Sequence, residues 1–199
     1  MISRVNILKI IIAIVLSISG LACDDEAKTG ELDFIGDSLI DGWKVGKYFP
    51  SYITSNYGVP GARIEYIESM AGKFTDRTVV VLIGTNDKFQ LADDTRSEYV
   101  KRYVEAIVNL NAGRMYLISV LPRDKDSDVK NFNEDIRQFN IMVQNEIKTT
   151  PTIKYVDVYN DFLDDGKLIH KYFKDGLHLN NSGYNLLSKL LSAHIGPTK

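Results

Sequence analysis

Two short stretches, far apart in the sequence, carry residue types that could perform nucleophilic chemistry. Gly36-Asp37-Ser38 follows an apolar run, and Asp175-Gly176-Leu177-His178 lies near the end of the chain. A serine becomes a nucleophile when a base accepts its hydroxyl proton and a third group orients that base. His178 is the candidate base. Asp175 is the candidate carboxylate that would hold Nδ1–H and leave Nε2 facing Ser38.

Each stretch also has a purely structural interpretation. The first could serve only as a helix N-cap, and the second only as a capped histidine at a helix entry. The other two histidines are weaker candidates for a base. His170 lacks an aspartate three residues earlier that follows a strand, and His194 falls in the last turn of the predicted terminal helix. We interpret both as structural or exposed residues.

Ester hydrolysis also needs donors for the negative charge that develops on the carbonyl oxygen. Three groups are candidates for this oxyanion hole: the backbone N–H of Ser38, the backbone N–H of Gly61 and the side-chain amide of Asn86. The missing side chain of Gly61 would allow close approach of a substrate. Taken singly, the segments that contain Gly61 and Asn86 are adequately explained as turns.

The elements that must position these residues follow an alternating pattern. Short apolar runs predict five strands, over residues 32–35, 52–57, 78–83, 115–120 and 154–158. Helical spacing of apolar residues predicts four helices, over residues 62–73, 95–111, 129–148 and 181–194. This alternation predicts a parallel sheet with helices on both faces.

Ligands of such sheets bind beyond the carboxyl ends of the strands. Residues 36–38, 56–61 and 84–87 follow the first, second and third apolar runs, and residues 175–178 come after the fifth. We therefore expect all four groups to meet at one rim of the sheet.

Composition limits the classes of function. The chain has 199 residues, of which 44% are hydrophobic and 25% charged, with a formal net charge of −2. This composition is typical of one globular domain with a sizeable core. No basic patch indicates nucleic-acid binding. No zinc-type spacing or phosphate-binding loop occurs, so the sequence predicts neither a metal nor a cofactor.

The first residues have the pattern of an export signal. Arg4 and Lys9 precede the apolar run 10–22, which is too short to favour a spanning helix. We therefore expect residues 1–22 to be a signal peptide and the protein to be exported to the cell envelope, the periplasm or the medium.

Cys23, the single cysteine of the chain, excludes an internal disulfide. Leu21-Ala22-Cys23 resembles the end of a lipobox, although Gly20 stands where a larger apolar residue is usual. We favour a lipid-anchored protein over a plain secreted protein or an uncleaved anchor. Residues 23–30 are then a short polar tether, and residues 31–199 form a single domain.

The four rim groups together resemble the sequence blocks of the SGNH hydrolases, also called the GDSL esterase/lipase family. The blocks are Gly36-Asp37-Ser38-Leu39, Gly61 within Asn-Tyr-Gly-Val-Pro-Gly, Gly84-Thr85-Asn86-Asp87 and Asp175-Gly176-Leu177-His178. The resemblance spans residues 31 to 195. It implies a three-layer α/β/α, flavodoxin-like fold with a five-stranded parallel sheet. One mild departure is Val59-Pro60 in place of a more usual Ile-x pair, which predicts a stiffer loop.

The resemblance also implies roles for individual residues. Ser38 is implied as the nucleophile, His178 as the base and Asp175 as the orienting acid. Ser38, Gly61 and Asn86 are implied as the oxyanion donors. The implied activity is a serine esterase that acts on a small-molecule or carbohydrate ester through an acyl-enzyme.

The ester itself stays open at this stage. An exported, compact member of the family looks like a carbohydrate O-deacetylase or a small-acyl esterase. A lysophospholipase or thioesterase is the competing enzyme, and a catalytically idle carbohydrate-binding module of the cell envelope is the alternative from another class. The sequence leaves the oligomeric state open.

Several residues near the expected rim have two interpretations. The aromatic ones could form a wall beside the cleft or belong to the core, and the charged ones could touch substrate or pair with neighbours. The aromatic residues are Trp43, Tyr48, Phe49 and Phe89, and the charged ones are Asp41, Arg63 and Asp87.

Overall fold

A computed structural model describes residues 28–125, 128 and 131–195. The predicted signal peptide 1–22, the lipidation candidate Cys23 and tether residues 24–27 lie outside the described residues. Within the described ranges, no helix is both long and apolar enough to cross a membrane. The end of the predicted tether is bonded to the domain, because Thr29 N–H donates to Ser51 O at 2.7 Å.

A parallel sheet lies at the centre of the described chain. Its strands are Glu31–Gly36 (β1), Ile53–Gly58 (β2), Thr78–Leu82 (β3), Arg114–Ile118 (β4) and Ile153–Val156 (β5). Their order is β2-β1-β3-β4-β5, and every neighbouring pair is parallel. This order is that of flavodoxin-like sheets, so the predicted fold class is confirmed. A small antiparallel hairpin, Leu163–Asp164 (β6) and Lys167–Leu168 (β7), was not predicted.

Helices cover both faces of the sheet. They are Ser38–Asp41 (α1), Val45–Tyr48 (α2), Ile64–Glu68 (α3), Asp93–Val108 (α4), Phe132–Glu146 (α5) and Asn181–Ser192 (α6). Short 3-10 turns occupy Ile147–Thr149, Tyr159–Phe162 and His170–Tyr172. Helices α3, α4 and α5 pack on one face, and α1, α2 and α6 pack on the other.

The alternation of side chains along β3 explains why two cores form. Val79 and Val81 belong to one hydrophobic cluster, and Val80 and Leu82 belong to the other, because successive side chains of a strand point to opposite faces. All four are buried. A continuous β-branched run is therefore what a central strand with two covered faces requires.

The predicted elements occur with shifted boundaries. The helix predicted over 62–73 is the largest correction, because α3 covers only Ile64–Glu68 and the chain continues in turns. The apolar residues Ile64 and Ile67 are buried, whereas the next segment is mostly exposed and contains Gly72, whose φ of +71° is a left-handed conformation that does not continue a helix. The other three helices differ from their predicted ranges by three residues or fewer at each end.

The register of β1 against β3 brings two of the predicted groups together. Gly36 pairs with Leu82, so the segments that follow both strands leave the sheet at the same rim. A Cβ atom on Gly36 would lie 1.9 Å from Leu82 O and 2.7 Å from Ile40 Cγ1. Position 36 therefore has no room for a side chain.

This close approach predicts the outcome of a single substitution. Gly36→Ala should lower the free energy of unfolding by about 3 kcal/mol or more, because the backbone carbonyl of Leu82 has to move. Gly46→Ala is the matched control, since its Cβ would meet only Thr54 Oγ1 at 3.4 Å. Urea unfolding of both variants measures the effect. Equal stabilities of the two variants would contradict the prediction.

Candidate active site

The turn between β1 and α1 presents the hydroxyl of Ser38. Asp37 is the N-cap of α1, and its Oδ1 accepts a hydrogen bond from Leu39 N at 2.8 Å. Ser38 is the first residue of the helix, so its N–H has no intrahelical acceptor. Its side chain is half-buried at the rim. The turn thus leaves a hydroxyl and a backbone donor on the same residue.

The segment that carries Asp175 and His178 is closed at its base by backbone hydrogen bonds. Phe173 and Leu179 form an isolated antiparallel bridge, and Lys174 N donates to His178 O at 2.7 Å. Within this closed loop, Asp175 Oδ1 accepts from the backbone N–H of His178 at 2.8 Å. The carboxylate is therefore oriented by the backbone of the same loop.

The structure brings Ser38, His178 and Asp175 together in one chain of contacts. Ser38 Oγ lies 3.1 Å from His178 Nε2, across 140 residues of sequence. His178 Nδ1 lies 2.9 Å from Asp175 Oδ2. This arrangement matches the order of contacts expected from the sequence.

The environment of Asp175 determines which ring nitrogen carries the proton. Partial burial would raise the pKa of the Asp175 carboxyl, but hydrogen bonds from the backbone and ring of His178 and from Leu177 N outweigh it and hold the pKa well below its usual range. An ionised carboxylate only accepts hydrogen bonds. Nδ1 of His178 therefore carries the proton, and Nε2 is free to accept from the Ser38 hydroxyl.

The other two oxyanion candidates lie on loops that are bonded to one another. Gly61 has φ +76°, a left-handed conformation that favours glycine. Asn86 Nδ2 donates to Ala62 O at 2.9 Å, which ties the loop after β3 to the loop after β2. A side-chain amide has two N–H donors, so this bond leaves a second one. Val59 N donates to Gly36 O at 3.0 Å and ties the loop after β2 to the end of β1.

Helix α6 braces the turn that carries Ser38. Tyr184 Oη donates to Leu39 O at 2.9 Å, and Trp43 Nε1 donates to Ser188 Oγ at 3.0 Å. The helix begins with its cap Asn180, two residues after His178. One element therefore supports both the hydroxyl and the segment that ends in the imidazole.

Two carboxyl groups lie buried next to this site. Burial raises the pKa of Asp37 to about 7, although the hydrogen bond from Leu39 N opposes the shift. Burial likewise raises the pKa of Asp87 to about 6. The Oδ2 atoms of both residues have no hydrogen-bond partner among the described residues. Asp87 is thus a buried acid and does not lie exposed at the rim.

The burial of each aromatic residue near the rim decides whether it belongs to the core or can form the wall of a cleft. Trp43 and Phe49 pack against Phe34 in the core, so they are not the wall of a cleft. Tyr48 is half-buried, whereas Phe89 is 80% exposed in the segment after Asn86. Among the charged residues, Asp41 and Arg63 are exposed. The structure thus leaves Phe89 as the aromatic residue most open to a ligand.

The remaining histidines take no part in the contacts of Ser38, His178 and Asp175. His194 follows the end of α6, and burial lowers its pKa. His170 is exposed, but its Nε2 lies 3.0 Å from Asp124 Oδ2, so it has an acidic partner from another loop. The described residues contain no group of three His, Cys, Asp or Glu side chains that could hold a metal ion.

Sequence reasoning missed the loop that follows β4. Lys125 Nζ lies 3.3 Å from Asp175 Oδ2, and Asp124 N donates to Gly176 O at 3.0 Å. The signal was present, because residues 123–125 follow a strand on the same rim as the other groups. These residues match no catalytic motif, so their place after a strand is the one signal that the sequence offers.

A cavity of about 610 Å³ opens beside Asp175. Its wall includes the charged or polar side chains of Asp124, Lys125, His170 and Lys174, together with the ring of Phe173. The contacts of Ser38, His178 and Asp175 can support attack by an activated hydroxyl, and the cavity adjoins Asp175.

Comparisons with known sequences find a family profile and a curated relative. The profile of the GDSL-like Lipase/Acylhydrolase family matches residues 34–186. The N-acylneuraminate cytidylyltransferase of Escherichia coli O18:K1:H7 (strain RS218 / NMEC) is 30% identical over 171 residues, which are 79% of this chain and 38% of that protein. The chain thus spans well under half the length of this curated relative.

Several solved structures share the fold. A member of the lipolytic protein G-D-S-L family from Veillonella parvula has a TM-score of 0.66 at 22% identity, covering 82% of this chain and 97% of that one. A GDSL-like lipase from Bacteroides thetaiotaomicron has a TM-score of 0.63 at 21% identity, with 92% and 95% covered. Axe2, an acetylxylan esterase from Geobacillus stearothermophilus, has a TM-score of 0.62 at 17% identity, with 85% and 96% covered.

The buried carboxyl of Asp37 predicts a pH dependence of stability. Its pKa is about 7 in the folded protein and about 3.9 in an unfolded chain, so between these values the native state holds a proton that the unfolded state has lost. Stability should therefore fall as pH rises through this window, by up to about 1.4 kcal/mol per pH unit. Asp37→Asn keeps the cap oxygen and should make the fall shallower.

Urea unfolding at pH 5, 6, 7 and 8 measures this difference. Asp87 has a shift of the same sign, so part of the decline should persist in the variant. Asp41→Asn removes an exposed carboxylate from the same helix and controls for the loss of one negative charge. Parallel curves for the wild type and Asp37→Asn would refute the prediction.

Proposed function

Because the chain belongs to the GDSL-like lipase/acylhydrolase family, we propose that it is a serine esterase that works through a Ser-His-Asp acyl-enzyme mechanism. The observation that carries this proposal is the contact of Ser38 Oγ with His178 Nε2, together with the contact of His178 Nδ1 with Asp175 Oδ2. In a catalytic triad, these are the contacts that activate the hydroxyl and orient the base.

In the proposed first step, Ser38 Oγ attacks the ester carbonyl while Nε2 of His178 takes the hydroxyl proton. Ionised Asp175 stabilises the imidazolium that forms. The negative charge on the carbonyl oxygen is held by Ser38 N, Gly61 N and Asn86 Nδ2. Loss of one such donor costs hydrolases about 3–4 kcal/mol of transition-state stabilisation.

Collapse of the tetrahedral intermediate expels the alcohol, which receives the proton from His178. Water then attacks the acyl-serine, and His178 now takes a proton from the water. Breakdown of the second intermediate releases the carboxylic acid and returns the proton to Ser38. Because the protein groups suffice for these steps, the proposed mechanism uses neither a metal nor a cofactor.

We propose a small-acyl ester, and in particular an O-acetyl group on a carbohydrate, as the substrate. The charged side chains that line the cavity beside Asp175 suit a hydroxyl-rich alcohol better than a long hydrocarbon chain. Axe2 is named as an acetylxylan esterase, and the name of the curated relative refers to a sugar acid. Both names point in the direction of carbohydrate substrates.

Two other functions remain as alternatives. A lysophospholipase or thioesterase would use the same triad on a longer acyl chain, and exposed Phe89 and Val59 could contact such a chain. A non-catalytic carbohydrate-binding module of the cell envelope would keep the fold without the reaction. The complete set of Ser38, His178 and Asp175 disfavours the second alternative.

The proposed cellular context follows from the sequence of residues 1–30. We propose export through the signal at residues 1–22 and attachment to a membrane through a lipid on Cys23. An enzyme anchored in this way would act on esters of the cell envelope or of polymers outside the cell.

The nucleophile is tested by one substitution. Ser38→Ala should lower kcat by at least about 10³-fold, because the attacking oxygen is removed while the donors remain. Hydrolysis of p-nitrophenyl acetate measures the rate, and circular dichroism checks the fold. Ser51→Ala, which removes an exposed serine hydroxyl elsewhere, is the control. Near wild-type activity of Ser38→Ala would overturn the assignment.

A fluorophosphonate probe gives a second readout of the same prediction. The wild type should become covalently labelled at Ser38, and Ser38→Ala should not. An idle module would label in neither form. This comparison therefore separates the esterase from the non-catalytic alternative without knowledge of the natural substrate.

The acyl preference is tested with p-nitrophenyl esters of increasing chain length. We expect kcat/KM to be highest for acetate or butyrate, because the cavity beside Asp175 is lined by the charged side chains of Asp124, Lys125 and Lys174. Acetylated xylan, acetylated peptidoglycan and a lysophospholipid extend the comparison to natural polymers and lipids. A preference for chains of about eight carbons or more would favour the lysophospholipase alternative.

A further inference from the structure

The loop that follows β4 contacts the segment of the candidate acid at two points, and the 3-10 turn before that segment at a third. We refer to residues 123–125 as the bracing loop. Asp124 N donates to Gly176 O at 3.0 Å, and Lys125 Nζ lies 3.3 Å from Asp175 Oδ2. Asp124 Oδ2 also lies 3.0 Å from His170 Nε2. The bracing loop therefore contacts residues 173–179, which we call the catalytic segment, through both its backbone and the side chain of Lys125.

The shape of the catalytic segment requires this close contact. Gly176 has φ +74°, and a Cβ atom there would lie 2.4 Å from Asp124 Oδ1 and 3.1 Å from the backbone of Asp124. A glycine next to the candidate acid thus lets the bracing loop approach the backbone of the segment.

A buried ion pair between Arg123 and Asp128 holds the bracing loop in place. Arg123 is buried and donates through Nη1 to Thr85 O at 3.1 Å and to Thr85 Oγ1 at 3.0 Å. Arg123 Nη2 lies 2.7 Å from Asp128 Oδ1, and Asp128 Oδ2 accepts from Lys125 N at 3.0 Å. The backbone of Lys125 is therefore bonded to the same Arg123–Asp128 pair that binds Thr85, the residue before Asn86.

The position of Lys125 has an electrostatic consequence for the base. Its ammonium contacts the same Asp175 oxygen that accepts from His178 Nδ1. A cation at this oxygen offsets part of the negative charge that would stabilise an imidazolium, and it also repels the imidazolium directly. Both effects favour the neutral ring, which is the form that can accept a proton from Ser38.

The other groups that face this pair are few in the described ranges. Asp124, His170 and Lys174 line the cavity beside Asp175, and Ser38 faces the other ring nitrogen. Asp124 is engaged with His170, and Lys174 belongs to the catalytic segment itself. Lys125 is therefore the cation that another loop brings to the carboxylate.

We propose that Lys125 is a positioning residue that holds Asp175 and keeps His178 in its basic, neutral form at lower pH than Asp175 alone would permit. Its effect on the rate rests on the proposed esterase function. The ion pair itself does not depend on catalysis and can be measured separately.

The experiment is an NMR titration of the imidazole signals in the protein and its Lys125→Met variant. His170→Gln and His194→Gln variants assign the signal of His178. We expect the pKa of His178 to rise by about 0.3–0.6 in Lys125→Met, the size expected for an ion pair whose side chains are 39% and 40% exposed. The difference between the two proteins should shrink near 1 M salt, where charges are screened within about 3 Å.

Two further variants distinguish the specific contact of Lys125 with Asp175 from a general effect of positive charge in the cavity. Lys174→Met removes a cation from the same cavity without an ion pair to Asp175, and it should move the pKa of His178 by less than half as much. Lys125→Arg retains the charge and should restore the wild-type value. An unchanged pKa in Lys125→Met, or an equal shift in Lys174→Met, would overturn the proposal. If Lys125→Met does not fold, Lys125→Gln replaces it under the same criteria.

Kinetics give the functional readout. The acid limb of kcat/KM should move to higher pH in Lys125→Met by the same amount as the NMR pKa, with the plateau rate changed less than threefold. A shifted NMR pKa in a protein without esterase activity would refute the proposed function and leave the ion-pair role standing. An active enzyme whose His178 pKa does not move would refute the role of Lys125 alone.

Discussion

The approach of Gly36 to the carbonyl of Leu82 is the contact on which the candidate site depends. It sets the end of β1 directly against the end of β3, with no space for a side chain between them. The segments that start with Asp37 and Gly84 consequently leave the sheet side by side. A displacement of either strand would separate the Ser38 hydroxyl from the loop of Asn86, whatever residues those loops contained.

The carboxyl groups near this contact lie in different environments. Asp175 is partly exposed and saturated with hydrogen-bond donors, so it stays ionised beside His178. Asp37 and Asp87 are buried with few partners, and their pKa values are raised. Residues of the same type therefore have distinct roles, because burial and hydrogen bonding act on the charged form in opposite directions. The ionised form of Asp37 is disfavoured because the tight turn that presents the Ser38 hydroxyl buries its carboxyl group.

The sequence predicted the strands and the four rim groups because both depend on local signals. A β-branched run such as 78–83 is interpretable without knowledge of its neighbours, and turn residues mark where it ends. The end of α3 was not predicted, because a single glycine within a helical pattern does not by itself show that the helix stops. The burial of Trp43 and Phe49 was also undecided, since an aromatic residue near a turn is compatible with either a core or a cleft.

By itself, the sequence determined the chemical types available at the site: a serine after a strand, a histidine three residues after an aspartate, and a glycine and an asparagine in separate turns. Only the tertiary structure decided their distances, because Ser38 and His178 are 140 residues apart and meet through the packing of α6 on the sheet. It also decided that Lys125 lies against Asp175. A contact between two loops depends on how the strands are ordered in space, and no local pattern in either loop encodes that order.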